Sequence, residues 1–117
     1  MTTAFDLVTF DSPDPDHASR FWCSALDLHV TEREDDGRWV VLSDAAHTRR
    51  IGLQRGRVVP GSVHLDLVCE IEEFHAEHHR LVALGAVEMS APRHLDYGWI
   101  VNLSDPDGNR FDLCAYA

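Results

Sequence analysis

The sequence contains no lysine. Its ten basic residues are all arginine, against twenty Asp and Glu, for a formal charge of −10. Without lysine there is no Schiff-base nucleophile and no P-loop. A chain this acidic also lacks the basic footprint that nucleic acid or an anionic membrane requires, so neither is expected as a partner. Cationic ligands stay open. No hydrophobic run approaches the ~18 residues of a membrane span. The opening Met1-Thr2-Thr3-Ala4-Phe5-Asp6 has neither the basic nor the apolar character of a leader, and the expectation is a cytoplasmic protein. Cysteine is scarce. Cys23, Cys69 and Cys114 are odd in number and widely spaced, with no CxxC, which argues against a zinc knuckle or a disulfide framework. Each sits in an apolar stretch and reads as a buried free thiol.

What is present is enough for one small domain. The chain has 117 residues, 44% of them hydrophobic, and can bury a core. Eight histidines are many for this length and invite a metal hypothesis.

The chain reads as two similar halves. Phe5 to Phe10 is a strand. A helix follows over about 15–26: Asp14 is the N-cap, Pro15 suits the first helical position, and Ala18, Phe21, Trp22 and Ala25 share one face. Strands are expected at 29–34 and at Trp39–Leu42, turned by Asp35-Asp36-Gly37, and another at Ile51–Arg55. Residues 57–62 connect the halves. Then the order repeats: a strand at Ser62–Glu70 and a helix at Glu72–Leu84 with Phe74, His78, Leu81 and Leu84 near its inner face. Gly85 ends that helix. Strands at 86–90 and 99–103 precede the turn Asp105-Pro106-Asp107-Gly108, and the strand Arg110–Cys114 closes the chain. Gly37-Arg38-Trp39-Val40-Val41-Leu42-Ser43-Asp44 also aligns with Gly98-Trp99-Ile100-Val101-Asn102-Leu103-Ser104-Asp105. Each half is β-α-β-β-β, and a unit that short cannot bury its own sheet, so two copies should pair.

Three motifs carry a resemblance that covers nearly the whole chain. They are Asp14-Pro15-Asp16 leading to Phe21-Trp22; Val63-His64-Leu65-Asp66-Leu67 before a helix ending Leu84-Gly85-Ala86; and Asp105-Pro106-Asp107-Gly108-Asn109-Arg110-Phe111-Asp112-Leu113. With paired βαβββ modules, the sequence resembles the vicinal oxygen chelate superfamily of glyoxalase I, bleomycin-resistance proteins and extradiol dioxygenases, and in detail its glyoxalase-like branch. The resemblance implies an α+β fold: two paired βαβββ modules forming an eight-stranded open cup, helices on the convex side. It implies a single glyoxalase-like domain over 1–117, with module one at about 1–56 and module two at about 62–117. A homodimer is expected, because such a sheet leaves edges to cover.

In metal-using members, one inward residue from the first and last strands of each module binds a divalent ion. Here those positions read as Leu7, Gln54, His64 and Asp112. Leucine binds no metal, so the candidate ligands are His64, Asp112 and Gln54, for Zn, Ni, Mn or Fe. The other reading is that His64 and Asp112 are polar groups lining a metal-free cup.

Strand alternation places Leu65, Leu67, Phe111 and Leu113 on the helices, and His64, Asp66, Arg110, Asp112 and Cys114 toward the cup. With Asp66 near Asp112, one of the two carboxylates would act as a general base; alternatively Asp66 pairs with Arg110. Asn102 adds a polar group. Trp39 is either a stacking surface for a ligand or core, and Trp99 reads as core. His94 and Tyr97, in the 92–98 loop, are candidate lid contacts. His75 and His79 read as a solvated helix face, because Ala76 stands where H-E-x-x-H needs Glu. The expected function is to hold a small organic ligand in the cup, with catalysis unproven. The alternative is a metal-dependent lyase, isomerase or dioxygenase using His64 and Asp112.

Overall fold

Helix α1 (Pro15–Leu26) forms where its caps and stripe place it. The Asp14 carboxylate accepts the His17 amide at 3.2 Å, Pro15 occupies the first turn, and Asp27 closes the helix in the left-handed region. Its inner face buries Ala18, Phe21, Trp22 and Ala25, with Trp22 against Phe10 at 5.4 Å between rings. Each large side chain buried there contributes about 1.5–3 kcal/mol. The computed structural model describes residues 5–117, so the leader reading on Met1–Ala4 lies outside the described residues.

Contacts divide the chain into two units, up to Val58 and from Val59 on. In unit one a four-stranded sheet has the order β1-β4-β3-β2, from β1 (Val8–Ser12), β2 (His29–Glu34), β3 (Trp39–Ser43) and β4 (Arg50–Arg55). Strand β1 runs parallel to β4, and the other pairs are antiparallel. The first strand begins and ends later than expected, and Phe5 is exposed. In unit two, β5 (His64–Val68) pairs in parallel with β9 (Arg110–Tyr116), which pairs with β8 (Gly98–Ser104). The far edge is broken into β6 (Val87–Glu88) and β7 (Arg93–Leu95), both on β8, with Pro92 in the break. Nine strands are thus described where eight were expected.

Helix α2 (Phe74–Leu84) starts two residues late, after a 3-10 turn at Ile71–Glu73. It buries Phe74, His78 and Leu81 but leaves Leu84 exposed. Neither sheet closes on itself, and the expected α+β class is observed, with unit one as βαβββ and unit two carrying one strand more because its far edge is broken in two. Among the described residues, no helix is long and apolar enough to cross a membrane. All three cysteines are free, but only Cys114 is buried. Partial burial is the chief cause raising the thiol pKa of Cys23, Cys69 and Cys114, which makes them poor nucleophiles.

The aligned Ser-Asp pairs do the same work in both units. Asp105 is buried and accepts the amides of Asp107 and Asn109, holding the β8–β9 turn. Asp44 accepts the Thr48 hydroxyl and the amides of Thr48 and Arg49 before β4. The Thr48 hydroxyl is the main cause holding the Asp44 carboxyl below its usual 3.8. A pKa lowered by folding adds stability that is present above the unfolded value and is lost as pH falls through the folded one. Asp44→Ala is therefore expected to lower the melting temperature at neutral pH, with the gap to the parent chain closing in acid. Thermal unfolding across pH 2–7 checks it, and a gap that stays constant would be the contrary result.

Candidate functional site

The site lies on one face of the second sheet. A parallel β5–β9 pair places first-strand and last-strand residues on neighbouring rungs, Asp66 opposite Asp112 and His64 opposite Arg110. Asn102 of β8 sits opposite Asp112 on the other side. Alternation then turns Leu65, Phe111, Leu113, Val101 and Leu103 away, and Phe74 of α2 stacks on Trp99 of that opposite face at 5.6 Å.

A chain of hydrogen bonds crosses the polar face. Ser90 Oγ donates to Asn102 Oδ1 at 2.6 Å, and Asn102 Nδ2 donates to Asp112 Oδ1 at 2.6 Å. Asp112 Oδ2 meets His64 Nε2 at 2.7 Å. Asp66 Oδ1 approaches the same nitrogen at 3.3 Å. Asp112 is 8% exposed, and a carboxylate so buried is tolerable because both oxygens are engaged. The chain borders a cleft of about 290 Å³ lined by His64, Ser90, Asn102, Arg110 and Asp112, with Met89 on its wall. That volume is near the lower bound for small-molecule sites.

Several expectations change here. Asp66 turns to His64, two residues back along β5 on the same face, and forms no ion pair with Arg110. His94 stacks on Trp99 at 4.8 Å, directly opposite it in the β7–β8 ladder. It therefore stands on the helix-side face, away from the cleft of this unit. Tyr97 packs near Tyr116, with rings 5.9 Å apart. On α2, His75 and His79 are exposed and His78 is buried, as the helix pattern predicted, and His75 meets Trp99 edge-on.

The counterpart of Asp112 in unit one is Gly52 and not Gln54. Val41 pairs with Gly52 as Asn102 pairs with Asp112, and Thr9 pairs with Gly52 as Asp66 pairs with Asp112. Gln54 corresponds to Cys114, and its amide donates to Asp11 at 3.1 Å. The same register keeps Leu7 as the counterpart of His64. A Cβ on Gly52 would meet the Trp39 ring at 2.5 Å and Thr9 Oγ1 at 2.9 Å, so the indole occupies the space where unit two has a carboxylate. Trp39 and Gln54 also line a cleft of about 550 Å³ in unit one with Glu34, Arg38 and Arg55.

Among the described residues, the one grouping of His and acidic donors close enough to share an ion is thus in unit two. Ligand atoms of His64, Asp66 and Asp112 lie within 4.8 Å of one another. One imidazole and two carboxylates fit a divalent ion such as Mn, Fe or Zn, with remaining positions open to water or substrate oxygen. Asp66 replaces Gln54 in that set. Alternation places Asp66 on this face, but its approach to His64 depends on side-chain placement. Ser90 carries no sequence signal at all: its place follows from Met89 and Ser90 both donating backbone amides to the Asn102 carbonyl.

A family model described as a glyoxalase-like domain matches residues 7–114. No curated protein matches the chain. Among solved structures it is similar to a glyoxalase/bleomycin resistance protein/dioxygenase family enzyme from Burkholderia phytofirmans, at 17% identity and TM-score 0.80, covering 96% of this chain and 98% of that one. It is also similar to the fosfomycin resistance protein FosX from Mesorhizobium loti, at 17% identity and TM-score 0.76, covering 100% and 95%. A protein from Agrobacterium tumefaciens superposes with TM-score 0.81 at 18% identity, covering 99% of both chains. At such identities the likeness is one of fold.

Proposed function

The chain belongs to the glyoxalase-like domain family of the vicinal oxygen chelate superfamily, and from that premise we propose that it binds a small organic molecule in the cleft of its second module. The observation that carries this reading is the Ser90–Asn102–Asp112–His64 chain along the cleft wall. Fixed polar groups on sheet strands orient a ligand at little entropic cost. Recognition is favoured over metal catalysis because unit one supplies Leu7 and Gly52 where a four-ligand site would need donors.

A second reading is favoured by one observation, the grouping of His64, Asp66 and Asp112. These three would hold a divalent ion, and the ion would polarise a pair of substrate oxygens for lyase, isomerase or dioxygenase chemistry. His64 and Asp112 would then exchange their mutual hydrogen bond for the ion, while Asn102 keeps the Asp112 carboxylate oriented.

Metal analysis of the purified protein, with thermal unfolding in Zn, Ni, Mn or Fe(II), separates the two. A ligand at a hundredfold excess over its Kd stabilises the native state by about 2.7 kcal/mol. The binding reading expects substoichiometric metal and no rise in melting temperature with any ion. Stoichiometric metal that is lost in His64→Ala would overturn it in favour of the metal enzyme.

A further inference from the structure

We propose that the molecule held in the second-module cleft carries an oxyanion, a carboxylate or phosphonate group, that pairs with Arg110. This rests on the reading of that cleft as a small-molecule site and names the ligand's charge.

The chain carries twice as many acids as arginines, so an arginine without an acidic partner stands out. Arg33, Arg38, Arg49, Arg50 and Arg80 each have a carboxylate within salt-bridge range. Arg20 meets the His17 ring, and Arg55 donates to the Asp36 carbonyl. Arg110 has no such partner among the described residues, although it opens β9 opposite His64 and lines the cleft. Arg57 and Arg93 also have none, but neither lines that cleft.

Two carboxylates share the face with Arg110, and neither forms an ion pair with it. Asp112 gives Oδ1 to the Asn102 amide and Oδ2 to His64, and Asp66 turns Oδ1 to His64. The imidazole and the amide thus draw the acids away and leave a guanidinium for the ligand. Its planar fork of N–H donors matches an oxyanion in two parallel hydrogen bonds, which a neutral carbonyl or a cation cannot offer. The formal −10 points the other way, toward cations. That charge is spread over the whole chain, and salt screens exposed charges beyond about 8–10 Å. A direct contact with Arg110 is not screened in this way, so the local cation decides.

The test is a titration followed by nuclear magnetic resonance at the Asn102 side-chain amide and the Arg110 Nε–H. The probes are benzoate, phenylphosphonate, neutral benzamide and cationic benzylammonium, at millimolar concentration. Saturable shifts at both groups are expected with benzoate or phenylphosphonate, and the stronger of the two identifies the oxyanion. Arg110→Gln should weaken that binding at least tenfold, Arg110→Lys should keep the charge but lose part of the affinity, and Arg57→Gln should change nothing. Benzamide or benzylammonium binding as tightly as the anions, or full affinity in Arg110→Gln, overturns the oxyanion while leaving the cleft as a ligand site. Silence at Asn102 with all four probes overturns both.

Discussion

Gly98→Ala is expected to cost about 3 kcal/mol or more of folding stability. Gly98 has φ +136, a backbone conformation that residues with a side chain rarely adopt. A Cβ at this position would also run into the carbonyl oxygen of Ala115. That oxygen belongs to the backbone of β9, so it cannot swing aside as a side chain would. Gly98 is paired with Leu95 on one flank and with Tyr116 on the other, and relief would have to come from opening a ladder. Because β8 also carries Asn102, the damage should reach the cleft. Urea unfolding measures the loss, and a change below about 1 kcal/mol would contradict a backbone clash at this position.

Asp112→Ala is expected to cost about 2–3 kcal/mol and to abolish whatever the cleft binds. The cost does not come from lost packing. Removing the carboxylate takes the acceptor from Asn102 Nδ2, which is part-buried, and from His64 Nε2, whose side chain is half exposed. Asp112→Asn keeps the shape and one acceptor for Asn102, and its amide donates to His64 Nε2 once the imidazole carries its proton on Nδ1, so less than half the loss is expected. The single and double substitutions of His64 and Asp112 should be non-additive by about 1 kcal/mol. Additive losses in urea unfolding would show that the 2.7 Å contact does not couple the pair.

Local chemistry made much of the fold legible. The α1 boundaries follow from Asp14, Pro15 and a four-residue apolar stripe, all short-range features. The Asp105 turn is just as local, and its amide hydrogen bond from Gly108 to Asp105 is present at 3.0 Å. Alternation likewise brings His64, Asp66, Arg110 and Asp112 to one sheet face, because a strand has period two whatever surrounds it.

Rungs were harder than faces. Gln54 and Gly52 share a face, and only pairing with Val41 identifies Gly52 as the counterpart of Asp112. Face alternation gives Gly52 and Gln54 equally, and the turn before the last strand also has one residue fewer in the second unit, so the offset of the repeat does not carry over to the last strand. His94 failed for a related reason: its face depends on standing opposite Trp99, a partner that no local pattern announces.

By itself, then, the sequence determined the family, the repeated order of elements and the facing of the polar residues, since each rests on contacts within a few residues. Tertiary structure decided which residues meet. It paired Asp66 with His64 instead of Arg110, laid Trp39 over Gly52, and left the Arg110 guanidinium to the cleft. Those outcomes depend on register and on competition among neighbours brought together from distant parts of the chain, and neither is written in any short stretch of it.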